Sequence, residues 1–372
     1  MSVKTSVVIR ILEELAPAGL AESWDNSGFQ LGDPGAAINR VLLTLDVTAA
    51  VAAEASERGA ELIVSHHPLF FKPIKALRFD NAEGSLIRYL IEHGISVYAA
   101  HTNLDIAEGG VNTALAQSLG LNDLSILQET GREDLYKLAV FVPEEHLDQV
   151  RFAITEAGAG WIGQYSHCTF ASPGTGTFKP LSGAKPFIGH IGEIEKVQEV
   201  RLETVAPANR IDGILQAMLK SHPYEEVAYD LYRLQNSGLS FGLGRVGVLS
   251  QAMTLGEFAA KVKTALGITA LRCGGELNAR VSKVAVCGGA GADLWPAALA
   301  SGADTLVTGD LKYHTAQQIL DAGLNFVDAG HYGTEAVVLP VLQNYLQSRL
   351  QDLNIDLEVI MSETRTEPFI YL

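Results

Sequence analysis

Leu62-Ile63-Val64-Ser65-His66-His67-Pro68-Leu69-Phe70-Phe71 is the stretch whose reading decides the fold. The apolar run Leu62-Ile63-Val64 reads as a buried strand, and Pro68 cannot donate to a ladder, so the two histidines fall at the strand's C-terminal end. In open α/β sheets that edge is where ligands bind. Adjacent strand residues point to opposite faces, so both imidazoles serve one site only if the strand breaks there or the site holds two metals. Taken alone, the pair is equally well one core histidine beside one exposed one.

Two further strand ends tip the balance. Ile95-Ser96-Val97-Tyr98-Ala99-Ala100 runs into His101-Thr102-Asn103-Leu104-Asp105, and Leu324-Asn325-Phe326-Val327-Asp328-Ala329-Gly330 runs into His331-Tyr332-Gly333-Thr334-Glu335. If Gly330 ends its strand and a helix starts at His331, then His331 and Glu335 project from one face of its first turn. Three strand ends thus offer His66, His67, His101, Asp105, His331 and Glu335. A His/Asp/Glu mixture without cysteine suits Zn, Mn, Fe or Ni and is too imidazole-rich for Mg or Ca alone.

A chain of 372 residues is long enough for two domains or more. With 47% hydrophobic and 19% charged residues it reads as globular, and no apolar run approaches the roughly 18 residues needed to span a bilayer. Residues 7–15 read as a helix closed by Pro17 and Gly19 rather than as a signal peptide. Cys168, Cys273 and Cys287 lack metal-type spacing, which agrees with a reducing compartment, so a cytoplasmic location is expected. The formal charge of -16 argues against a nucleic-acid wrapper; bound divalent metals would supply a local cationic centre for an anionic substrate.

Residues 22–32 read as a loop packed down by Trp24 and Phe29, either a cover over a sheet end or a lid edge. Arg40 to Asp46 reads as a strand, 48–58 as a helix and 61–65 as the next strand, a βαβ unit. Setting Arg40 on Lys283 without gaps puts Val41 on Val284, Gly59-Ala60 on Gly302-Ala303, and the histidine pair on Gly309-Asp310. The strand at 95–100 likewise matches that at 324–329. Two related halves facing one another would form a cleft where their polar strand ends meet. The glycine turn Val286-Cys287-Gly288-Gly289-Ala290-Gly291-Ala292-Asp293 suits either a phosphate cradle or a tight βα turn.

Residues 128–240 follow a different plan. The expected order of elements is βαββαβ, that of a ferredoxin-like fold, with a long Gly- and Pro-rich loop at 172–192. The expected fold class is therefore α/β, with two related βαβ-type halves at 1–127 and 241–372 forming a metal domain, interrupted by an α+β domain at 128–240. Beyond it, Thr254-Leu255-Gly256-Glu257 reads as a capping box.

Trp24-Asp25-Asn26-Ser27-Gly28, Ser65-His66-His67-Pro68, His101-Thr102-Asn103-Leu104-Asp105 and Gly330-His331-Tyr332-Gly333-Thr334-Glu335 stand together in an order that resembles the GTP cyclohydrolase 1 type 2 homologue family. These are also called NGG-interacting-factor-like dinuclear metal proteins, and the resemblance covers essentially the whole chain. It implies two divalent metal ions per chain, with Zn first and Fe, Mn or Ni as alternatives, held by His66, His67, Asp105, His331 and Glu335. It leaves His101 as a neighbour that orients ligands or moves protons. It also implies a toroidal homohexamer and a PII/CutA-like insert containing His222-Pro223-Tyr224-Glu225-Glu226.

Two readings of function follow. One is a dinuclear metal-dependent hydrolase acting on a nucleotide or phosphoester, with His101 carrying the proton and Glu335 or Asp105 bridging the metals. The other is a metal-binding hexameric regulatory or scaffold protein with a ligand-sensing insert and no turnover. Nucleic acid and membranes are not expected partners.

Overall fold

The computed structural model describes residues 3–371. The chain divides into two compact units, one formed by Met1–Thr130 with Phe241–Leu372 and the other by Gly131–Ser240. Among the described residues, no helix is long and apolar enough to cross a membrane.

In the first unit the strand Leu62–Ser65 is buried at every position and lies between Arg40–Thr44 and Ser96–Ala99, parallel to both. Glu358–Met361 extends this sheet in parallel, and Gly28–Leu31 closes the other edge antiparallel to Ser96–Ala99. Enclosure on both faces is what helix-connected parallel strands require. Leu42, Leu43, Ile63 and Val64 are fully buried, each stabilising the fold by about 1.5–3 kcal/mol. The crossover helices Ala49–Glu57 and Ala82–Glu92 are capped by Thr48 and Asn81, whose side chains accept from the backbone N–H groups of Val51 and Gly84.

The downstream half repeats this plan, at a constant offset through its first two parallel strands. Val41 pairs with Leu62, and their aligned counterparts Val284 and Thr305 pair in the same way. Side-chain clamps recur as well. Glu61 accepts from the N–H groups of Asn39 and Arg40 at 3.0 Å each, and Asp304, at the aligned position, accepts from those of Ser282 and Lys283 at 2.8 and 3.0 Å. Arg40 donates to the carbonyl of Arg58, and the aligned Lys283 to that of Ser301. A chance likeness among Ala- and Val-rich segments does not reproduce such clamps, so the halves are true repeats. Each carries an antiparallel edge strand beside its third parallel one, Gly28–Leu31 in the first half and Arg272–Gly274 in the second.

The helix Val111–Ser118 joins the two halves. Val111 and Ala114 pack into the core of the first half, Leu115 and Ala116 into that of the second. A short helix apolar on several sides has to be interior, and here it carries Asn112 into the space between the halves.

In the second unit the elements run Leu121–Pro143, Leu147–Glu156, Thr169–Phe178, Glu195–Pro207, Ile211–Ser221 and Tyr229–Thr254, alternating βαββαβ, with both outer strands continuing past the unit's limits. The strands are ordered fourth, first, third, second. The two helices bury Val150, Ile154, Ile214 and Met218 against Leu138, Val140, Val142 and Leu202 of the sheet. The expected loop at 172–192 is shorter than its composition suggests. Ser172 through Phe178 stay in strand, paired with Arg201 back to Glu195. This strand is the outermost of its sheet, and an edge tolerates Pro173, Gly174 and Gly176 because one side of its ladder is unpaired.

Candidate metal centre

The strand Leu62–Ser65 ends at Ser65, and the next two backbone N–H groups turn to the carbonyls of Thr44 and Leu45 at 3.1 and 2.8 Å. This bend brings both imidazoles to one place, their ring centroids 4.9 Å apart. In the other half, Gly330 takes φ +78°, open to glycine and costly for other residues, and starts the helix His331–Glu335. His331 Nε2 then lies 3.2 Å from Glu335 Oε1, one turn away. The helix Thr102–Ile106 follows the third strand of the first half in the same fashion, with His101 at its N-cap and Asp105 within it.

All six side chains converge. His67 Nε2 is 3.3 Å from His331 Nε2 and 3.1 Å from Glu335 Oε2. His66 Nε2 is 3.7 Å from both Asp105 Oδ1 and Glu335 Oε1. Two groups are compact enough for a metal ion, His66 with His67 and His101, and His67 with His331 and Glu335. They share His67. The structure thus draws His101 into the first cluster, whereas Asp105 enters through its approach to His66. A third group, His190 with Glu193 and Glu195, lies in the other unit, and its His190 and Glu193 are exposed.

What makes this arrangement a ligand set is how the far ring nitrogens are held. His66 Nδ1 lies 2.8 Å from the Ala100 carbonyl, His67 Nδ1 2.8 Å from Asp46, His101 Nδ1 2.7 Å from Asp25 and His331 Nδ1 2.7 Å from Asp310. Each acceptor holds the proton on Nδ1, so each Nε2 presents a lone pair to the same space, the tautomer that metal-ligating histidines adopt. His66 Nε2, Asp105 Oδ1 and Glu335 Oε2 are buried there without a hydrogen-bond partner. Buried polar atoms left unpaired are costly, and three of them facing one place fit a bound cation.

The electrostatics agree. Burial opposes a charge on His67, yet Asp46 and Glu335 raise its pKa to about 10. Glu335 raises that of His331 to about 9 against burial. Burial pushes Asp105 up to about 6, partly offset by His66. Glu335 is held well below the usual carboxylate range, its burial overcome by His66 and His331. The site draws positive charge, and without metal that charge is protons.

Residues outside the strand-end set build its supports, and sequence reasoning missed them. The expected loop at 22–32 is shorter, since Gly28–Leu31 is a strand; Asp25 lies just before it, where it also accepts from the backbone N–H and hydroxyl of Thr102 at 3.1 and 2.6 Å. This carboxylate ties the segment down; of the two aromatics expected to pack, Phe29 does so against the core of the first half, while Trp24 is 65% exposed. Asp46 follows the first strand, and Asp310 is the repeat counterpart of His67, a signal present in the alignment. The hydroxyl of Thr366, in the C-terminal tail, donates to Asp46.

The glycine turn supports the site and does not cradle phosphate. The N–H groups of Gly288, Gly289 and Gly291 donate to Asn112, Thr334 and Thr308 at 2.9, 2.9 and 3.0 Å. Gly289 has φ +60°, and a Cβ there would stand 2.2 Å from Glu335 Oε1. Asn112 also donates to the Asp105 carbonyl at 2.9 Å, linking one half's turn to the other half's ligand helix. Cys287 is buried, and burial, with Asp105 and Glu335 nearby, raises its pKa and keeps it a thiol.

Known proteins share this plan. The profile of the Duf34/NIF3 (NGG1p interacting factor 3) family matches residues 3–368. The chain is 48% identical over 365 residues to a GTP cyclohydrolase 1 type 2 homolog of Halalkalibacterium halodurans, covering 98% of each chain. It is 46% identical over 371 residues to the protein of that name from Bacillus subtilis, covering 100% of this chain and 99% of the other. A crystal structure of a Bacillus cereus protein related to NIF3 superposes with a TM-score of 0.91 at 44% identity over the full length of both chains. A Staphylococcus aureus protein gives 0.76 at 33% identity, over 100% of this chain and 99% of the other. A profile spanning nearly every residue, together with relatives this similar end to end, places the chain in the Duf34/NIF3 family.

Proposed function

We propose that the chain is a dinuclear metal-dependent hydrolase acting on a nucleotide-type substrate, akin to the activity in its relatives' name, GTP cyclohydrolase 1 type 2 homolog. The observation that carries this reading is the set of four histidines with Nδ1 anchored, three of which, His66, His67 and His331, turn Nε2 onto Glu335 or Asp105. His66, His67, Asp105, His331 and Glu335 would hold two divalent ions, with Zn preferred for an imidazole-rich set and Fe, Mn or Ni as alternatives. When bound, such a pair supplies Lewis-acid charge and lowers the pKa of nearby water. Glu335, which reaches toward His66, His67 and His331, and Asp105, which reaches toward His66, would supply the carboxylate charge that holds the ions. His101, held in one tautomer by Asp25, takes up and returns a proton at Nε2.

Product analysis after incubating zinc-reconstituted protein with a panel of nucleotides and phosphoesters tests this. Turnover of GTP or a phosphoester that disappears in His66→Ala and His331→Ala supports hydrolysis. Metal binding without turnover of any panel member overturns it.

One observation favours a second reading. Gly131–Ser240 contributes none of the six site residues, so hydrolysis has no evident need of it. On that reading the chain is a metal-binding hexameric regulatory or scaffold protein, and its ferredoxin-like, PII/CutA-like insert senses a ligand. A cytoplasmic location fits both readings, since Cys168, Cys273 and Cys287 are free.

A further inference from the structure

The sequence His222-Pro223-Tyr224-Glu225-Glu226 plays no part in the metal centre, and its last three residues line a separate cavity of about 480 Å³ within Gly131–Ser240. That volume suits a small molecule. Four aromatic side chains, Phe141, Phe178, Phe187 and Tyr224, stand among the lining residues of a protein that is only 7% aromatic. Phe178 and Phe187 flank Tyr224, with centroid separations of 6.0 and 6.3 Å and interplanar angles of 62° and 51°. The rings therefore offer both edges and faces to the cavity. Phe187 and Leu181, on the loop after Phe178, remain more than half exposed, which leaves apolar surface for a ligand to cover.

The polar lining fixes the sign of that ligand. Glu199, Glu225 and Glu226 stand against a single lysine, Lys179, a formal balance of -2. Glu225 is engaged by the backbone N–H of Lys185 at 2.7 Å. Glu199 accepts from the Tyr224 hydroxyl at 2.9 Å, and burial together with Glu199 keeps that hydroxyl protonated. The carboxylate of Glu199 lies so close to Gly176 that a Cβ there would fall 2.0 Å from Oε2. Glycine at 176 thus makes room for the carboxylate. Aromatic faces and carboxylates together repel anions and attract cations, and rings around a desolvated ammonium add cation–π attraction.

We propose that this cavity is a binding site for a small arylalkyl ammonium ion, its charge on Glu199 and its apolar body among Phe178, Phe187 and Tyr224. The site stands apart from the metal chemistry and does not depend on it.

Calorimetric titration of the full-length protein with tryptamine, and with its neutral and anionic analogues tryptophol and indole-3-propionate, tests the proposal. Saturable tryptamine binding at least about tenfold tighter than either analogue is expected. Glu199→Gln and Phe187→Ala should each weaken it by about tenfold or more, with metal content unchanged. Equal affinity for the three probes, no saturable tryptamine binding, or wild-type affinity in both variants overturns it. If Phe187→Ala changes the oligomeric mass while tryptamine binding stays as in wild type, the surface is a protein contact and the proposal fails.

Discussion

His67 and His331, contributed by opposite halves of a repeat, face each other through their Nε2 atoms at 3.3 Å. Each has its Nδ1 hydrogen-bonded to a carboxylate, Asp46 for His67 and Asp310 for His331. Two neutral rings so held would oppose lone pair to lone pair. The contact is favourable only with a proton or a metal ion between them, and the raised pKa values of about 10 and 9 express this demand.

Metal and protons therefore compete, and metal uptake at pH 7 should release more than one proton per chain. Titrating zinc into chelator-treated protein in two buffers of different ionisation enthalpy measures the release. Heats independent of buffer would sink the idea. The linked stability has a definite sign. Both folded values lie above the roughly 6.5 of an unfolded histidine, so the metal-free protein has a stabilising contribution fully present below about pH 6.5. It is lost as pH rises through about 9 to 10. Denaturant midpoints of the metal-free protein should fall across that window.

Asp25 and His101 form a partly buried pair at 2.7 Å. Burial opposes the Asp25 charge, but hydrogen bonds from His101, Ser27 and Thr102 hold its pKa well below the usual range. Asp25→Asn should let the imidazole take the other tautomer and slow turnover by about 10²-fold or more. Metal content should stay at the wild-type level in both Asp25→Asn and His101→Ala. Loss of metal in His101→Ala would make His101 a ligand beside His66 and His67, with which it clusters, and would refute its role as a proton carrier.

The strand ends were legible because apolar runs that break at His-His-Pro or at Gly-His carry a local signal. The repeat was legible from the ungapped alignment of Arg40 on Lys283, and the matching registers of Val41 on Leu62 and of Val284 on Thr305 agree with it. The residues that orient the histidines were not. Asp46 and Asp310 are separated from their partners by 21 residues each, and Asp25 from His101 by 76. A carboxylate in a loop carries no mark of the ring it will meet. Phe29 packs as its aromatic character suggests, but Trp24 misled, because polar groups also tie this segment down: Asn26 donates to the Phe70 carbonyl and Gln30 accepts from the Phe70 N–H.

The C-terminal tail supports the site from a distance. Glu54 accepts from the hydroxyls of Ser362 and Thr364 and from the N–H groups of Glu363 and Thr364. This anchorage delivers the Thr366 hydroxyl to Asp46, which orients His67. Thr366→Val should weaken zinc binding by about 10- to 100-fold, the scale seen for outer partners of metal ligands. Thr366→Ser, which keeps the hydroxyl, should restore it. Competition against a chromogenic chelator reads both, and wild-type affinity in the valine variant would remove the tail from the support of the site.

Gly242 lies so close to Gln128 that an added Cβ would stand 2.0 Å from its carbonyl oxygen. The two chain segments of the first unit are therefore neighbours at its edge, just before the first ends at Thr130 and just after the second resumes at Phe241. A two-residue Asn-Gly turn, suited to closing adjacent strands, should connect Thr130 to Phe241 in place of Gly131–Ser240. The shortened protein should be soluble and bind metal as the full chain does, because all six site residues and their aspartates lie in Met1–Thr130 and Phe241–Leu372. Elemental analysis and far-UV circular dichroism check this. An insoluble or metal-free product with several turn sequences would show that the core depends on the insert. If the shortened protein keeps both its metal and its turnover, the insert is not needed for the chemistry, and the hydrolase reading no longer has to account for it.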